Sequence, residues 1–134
     1  MMILLVDNDP LRAFQRKSIL EQRFSDVQRV SDAAEALCLV EQPSFAQELG
    51  LVISGLRMPG FGGPGFVAEL HARLPKLRVL VLGNSDEAAN EYAGDWVSFL
   101  SKPVANEAML SMASHLMAQS GNRENLAVAI SPLN

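Results

Sequence analysis

The chain has 134 residues, a formal net charge of −4, 49% hydrophobic and 19% charged residues, and one cysteine. That length makes one domain, able to bury about two thirds of the surface its unfolded form exposes, and leaves no room for a second. The composition is globular, no apolar run approaches the roughly 18 to 20 residues of a membrane span, and the scattered basic residues give no electrostatic footprint for nucleic acid.

Ile3 to Val6 is an aliphatic run that stops at Asp7, Asn8 and Asp9, followed by Pro10 and a segment of helical period. The order is strand, loop, helix: Asp9 can accept from the first free helix N–H groups, and Pro10 suits the first helical position. In the helix, Leu11 to Phe24, the pattern assigns Leu11, Phe14, Ile19 and Leu20 to the core and Arg12, Arg16, Lys17, Glu21 and Arg23 to water. Asp26 to Val30 reads as a second strand, and Ser31 or Asp32 caps a helix carrying Ala33, Ala36, Leu37 and Val40 that stops at Pro43. Cys38, in that apolar helix, reads as inert core packing, and a lone cysteine fits a reducing compartment. Residues 42–50 either extend the helix or wrap the surface.

Leu51 to Ser54 is a third strand, followed by a Gly- and Pro-rich loop and a helix from Gly65 to Leu74. Arg78 to Leu82 is a fourth strand, Ser85 caps a short polar helix, and Trp96 to Leu100 is a fifth strand. A last helix, Asn106 to Ala118, carries a stripe of Met109, Leu110, Met112, Ala113, Leu116 and Met117. The domain is expected over 1–119. Residues 120–134 read as a linker or tail with a short strand-like patch at Leu126, Val128 and Ile130, docked on this molecule or a neighbour. Met1 to Val6 lacks the length and the basic leader of a signal peptide, so the expected location is cytoplasmic.

Strands alternating with helices indicate an α/β fold, a (βα)5 doubly wound parallel sheet covered on both faces. Functional groups then belong at the strands' carboxyl ends, which carry Asp7 and Asn8, Gly55, Gly83 with Asn84, and Lys102.

ILLVDNDP, LRMPGFGG and FLSKP, in this order and spacing, resemble the receiver domain of bacterial two-component response regulators. The resemblance covers roughly Met2 to Ala118 and implies a flavodoxin-like sheet of strand order 2-1-3-4-5. It implies a phosphoryl switch as well: an acidic pair after strand 1 holds Mg²⁺, an aspartate after strand 3 takes a phosphoryl group from a histidine kinase, and a strand-5 lysine contacts it. A Thr or Ser after strand 4 moves inward, coupled to an aromatic residue on strand 5. A carboxylate nucleophile needs that metal and that cation to neutralise charge developing on the phosphoryl oxygens.

The residues carry these roles over only in part. Asp7 matches the first acid but Asn8 the second; Lys102 matches the lysine and Phe99 the switch aromatic. The acceptor position falls on Gly55 and the Thr/Ser position on Gly83. Ser54, next in line, points to the opposite face of its strand, and Ser85 reads as a helix cap. The expectation is a degenerate pocket of Asp7, Asn8, Gly55, Gly83, Asn84 and Lys102, with no catalytic residue, Lys102 paired to Asp7, and Asn8 bonded to nearby backbone or water. No cofactor is expected, and Mg²⁺ binding is weak or absent with Asp7 the one candidate ligand.

The protein so read is not an enzyme. It is a phosphorylation-independent pseudo-receiver, a protein-interaction module whose partners are other signalling proteins, a histidine kinase or an output partner, with homodimerisation open. Tyr92 and Trp96 are candidate contacts, as are Phe61 and Phe66. A working receiver with a non-standard acceptor and a small-molecule-binding flavodoxin-like domain are the alternatives; VDNDP, with acids where an anion site needs glycines, disfavours the latter.

Overall fold

The structure is a computed structural model that describes the backbone of residues 1–55, 57–58, 61–83, 96–101 and 105–130, and the side chains of 1–55, 64–83, 96–100 and 105–119. Its strands are β1 (Met2–Val6), β2 (Val27–Val30), β3 (Leu49–Gly55), β4 (Arg57–Met58), β5 (Phe61–Gly62), β6 (Arg78–Gly83) and β7 (Val97–Ser101). The helices are α1 (Pro10–Leu20), α2 (Ala33–Val40), α3 (Pro43–Glu48), α4 (Gly63–Arg73) and α5 (Asn106–Ile130).

Five strands form one parallel sheet in the order β2-β1-β3-β6-β7. With β6 and β7 as fourth and fifth strands of that sheet, this is the expected 2-1-3-4-5 order. The alternation of side chains along each strand divides the core in two. Leu4, Val6, Val52, Val79 and Val81 pack with Ala36, Leu37 and Val40 of α2 and with Phe66, Val67 and Leu70 of α4. Ile3, Leu5, Leu51, Ile53, Leu80 and Leu82 face Ala13 and Leu20 of α1 and Met109, Leu110, Ala113 and Leu116 of α5. Each fully buried aliphatic side chain here contributes about 1.5–3 kcal/mol, so both helical layers are needed to keep the sheet out of water.

Caps and boundaries follow local chemistry. Asp9 accepts from the Leu11 and Arg12 N–H groups at 3.0 and 3.2 Å, and Asp32 rather than Ser31 caps α2, accepting from Glu35 N at 2.8 Å. Residues 43–48 form the short helix α3, with Pro43 at its first turn rather than merely ending α2. The loop after β3 contains the antiparallel pair β4–β5, which no pattern announced.

Three expectations are corrected. The phase of α1 is turned: Leu11 and Phe14 are 68% and 70% exposed, while Ala13 and Leu20 are its buried residues. Arg12 and Arg16 lean over the end of β1 instead of pointing to water, because the buried acid there needs cations (below). Cys38 is exposed, since α2 turns Ala33, Ala36, Leu37 and Val40 inward. Finally, α5 continues to Ile130, twelve residues beyond the expected Ala118, so the strand-like patch at Leu126 to Ile130 is helix. The helix predicted after Ser85 lies outside the described residues.

Candidate functional site

Asp7 follows β1 directly, and the alternation along the strand aims its side chain to the α1–α5 side of the sheet, where it is 1% exposed. A carboxylate so removed from water must be paired and hydrogen-bonded. Its Oδ1 accepts from Asp9 N at 3.0 Å and from Arg12 Nε and Nη2 at 3.2 and 2.7 Å. Oδ2 accepts from Arg12 Nε at 3.0 Å and Arg16 Nη1 at 3.1 Å. Arg29, on β2, donates Nε and Nη2 to the Asp7 carbonyl oxygen at 3.1 and 2.7 Å. Three guanidinium groups thus converge on one residue.

The sequence explains the convergence. Capping by Asp9 fixes where α1 starts, and Arg12 and Arg16, four residues apart, then share one side of the helix. Burial by itself pushes the Asp7 carboxyl up, but the Arg12 hydrogen bond, the Asp9 N–H and the charges of Arg12 and Arg16 outweigh it and hold it below the usual carboxylate range. The two cations respond in opposite directions. The hydrogen bond to Asp7 raises Arg12, whose side chain is 36% exposed. Arg16, at 13%, is lowered, because burial outweighs the attraction of Asp7.

Gly55 ends β3 one residue past the Val6–Ser54 pairing, beside Asp7. A Cβ built there meets no atom of the described residues within 4 Å, so none of them fills the place where a side chain would stand next to Asp7. Ser54 alternates with Gly55, and its hydroxyl donates to the Gly55 carbonyl oxygen at 2.9 Å. Gly83 ends β6 in different surroundings: a Cβ there would overlap the Phe99 ring at Cζ and stand 2.8 Å from Cε2. Phe99, opposite Val81 on β7, fills the volume that a residue with a side chain at 83 would need.

Asn8, expected to bond nearby backbone or water, is exposed. Asn84, Tyr92 and Lys102, and with Lys102 its expected pairing to Asp7, lie outside the described residues; among the described residues the cations on Asp7 are Arg12 and Arg16. Trp96 is half-buried, with the Arg78 guanidinium 4.2 Å from its ring centroid. Both residues stand at the amino ends of their strands, so Trp96 is held against the scaffold and away from the pocket. Phe66 is fully buried and not a contact residue, because α4 needs it against the sheet. The side chain of Phe61 lies outside the described residues. The residues that pattern reading missed are Arg12, Arg16 and Arg29. The available signal was the i, i+4 arginine pair just after the cap.

Among the described residues, no three His, Cys, Asp or Glu side chains gather as a metal site would require, and no helix is long and apolar enough to cross a membrane.

The profile of the response regulator receiver domain matches residues 3–114. The transcriptional regulatory protein AruR of Pseudomonas aeruginosa is 28% identical over 120 residues, 86% of this chain and 48% of the relative. The C4-dicarboxylate transport transcriptional regulatory protein DctD of the same species is 28% identical over 111 residues, 81% of this chain and 23% of the relative. The chain therefore spans about half or less of the length of these curated relatives. Among solved structures, the signal receiver domain of an HD domain-containing protein from Pseudomonas fluorescens superposes with a TM-score of 0.78 at 23% identity, over 90% of this chain and 97% of that one. A response regulator receiver domain protein from Clostridium thermocellum gives 0.75 at 23%, over 94% and 98%.

Proposed function

The chain belongs to the response regulator receiver family of two-component signalling, and from that premise we propose that it is a pseudo-receiver, which signals through protein contacts without phosphoryl transfer. The observation that carries this reading is the end of β3: the residue beside Asp7 is Gly55, which offers backbone but no nucleophile. The pocket around it supports the same reading. Ser54 Oγ lies on the opposite face and is bonded to Gly55 O, and both Asp7 oxygens are taken by arginines, so neither is poised to attack phosphorus. At Gly83, the Phe99 ring stands where a hydroxyl-bearing side chain would move.

Partners on this reading are signalling proteins, a histidine kinase or an output element, or a second copy of the chain. The test is incubation of the full chain with Mg²⁺ and a small phosphodonor such as acetyl phosphate, followed by intact mass measurement. The expected result is an unchanged mass. A stable phosphoryl adduct on any residue of the pocket would sink the proposal and favour a non-standard acceptor.

A further inference from the structure

A divalent Mg²⁺ wants near-octahedral oxygen ligands at about 2.0–2.1 Å and gives up its water reluctantly. The residues at the carboxyl end of β1 do not fit that demand. A carboxylate offers about four lone-pair sites, and those of Asp7 already face the Asp9 N–H, Arg12 Nε and Nη2, and Arg16 Nη1. The carbonyl oxygen of Asp7, the next donor in line, accepts two N–H groups from Arg29. Asn8 turns to solvent and Gly55 has no side chain to add. An entering metal would displace charge-assisted hydrogen bonds and then sit against two or three positive guanidinium groups.

We infer that Arg12 and Arg16 are the built-in cation of this domain: their guanidinium groups supply, permanently and from α1, the positive charge that a receiver takes from a bound metal. The geometry is that of a lock. Arg12 grips Asp7 through two nitrogens and Arg16 closes the second oxygen, with most of its side chain buried. Both arginines ride on a helix whose start is fixed by Asp9 and whose Ala13 and Leu20 are packed on the sheet. The local charge therefore does not depend on metal supply, and the β1 end is held in one state. Restoring the missing acids does not by itself restore a metal site, because the arginines remain on Asp7.

The inference rests on the pseudo-receiver reading, and the two fail in different experiments. In full-length chain, Asn8→Asp with Gly55→Asp is compared with the same variant carrying Arg12→Met and Arg16→Met, each titrated with Mg²⁺ by calorimetry. The acid-restored variant with its arginines is expected to bind no better than the unchanged chain, and removal of the arginines, which takes away their repulsion of the metal, to raise affinity by about tenfold or more. A comparable gain with both arginines in place overturns the inference, and so does no gain after their removal in a chain that keeps its folded spectrum. If the arginine-free variant does not fold, the unchanged chain still decides: its Arg12 Nε–H resonance is expected to stay put through a Mg²⁺ titration, and its displacement overturns the inference. A phosphoryl adduct on the unchanged chain would instead overturn the functional reading, whatever the metal titrations give.

Discussion

Asp7 is a buried acid with two guanidinium partners, and its stability contribution has a sign that follows from its depressed pKa. The folded chain releases the Asp7 proton more readily than the unfolded chain. The stabilisation is thus complete above the unfolded value of about 3.9 and is lost as the pH falls from there through the lower folded value. Asp7→Asn leaves Arg12 and Arg16 without a counter-charge. We expect it to destabilise by about 3 kcal/mol, the low end for breaking a buried pair, because Arg12 keeps part of its side chain in water. Urea unfolding at neutral pH measures the loss, and the same series repeated below about pH 4 should show the gap between wild type and variant closing. Gly83→Ala is expected to cost about 1–3 kcal/mol by overpacking against Phe99. In a Phe99→Leu background the cost should shrink, and a double-mutant cycle reads the coupling. Gly55→Ala, whose Cβ would meet no atom of the described residues within 4 Å, Phe99 among them, should show no such coupling to Phe99.

The helix α1 carries a prediction that opposes its own hydrophobic pattern. Leu11 and Phe14 stand in water, so Phe14→Ser should shift stability by no more than about 0.5 kcal/mol, the range of an ordinary surface change. Asp9→Ala, by contrast, removes the acceptor of two helix N–H groups and should cost about 1 kcal/mol. Thermal melts of the two variants side by side test the phase of the helix. A larger loss from Phe14→Ser than from Asp9→Ala would mean that Phe14 is in the core.

For the molecule as a whole, closure of the sheet depends on two helical layers, and α5 contributes to it through Met109, Leu110, Ala113 and Leu116. A chain ending at Gln119 retains all four. It should still unfold in one cooperative transition, with a melting temperature within about 4 °C of the full chain, a shift worth roughly 1 kcal/mol at this size. Calorimetry of both lengths checks this. A broad or much lower transition would assign the segment beyond 119 to the fold.

The sequence by itself determined the parallel sheet with its two helical layers, Asp9 as the cap of α1, and the glycines at 55 and 83, while the strand order came with the resemblance to the receiver family. These follow from short-range signals: apolar runs of strand length, capping residues, and motifs in fixed order. Whether α1 presents its phenylalanine or its arginines to the protein was a different kind of question. Pattern counts Phe14 as core and Arg16 as surface, but packing admits small Ala13 against the sheet, and a desolvated carboxylate at the end of β1 draws in two guanidinium groups. That charge balance joins residues from a strand end, a helix face and a second strand, and the ring over Gly83 joins two more strands. Such contacts exist only once the sheet has assembled, so only the tertiary structure could decide them.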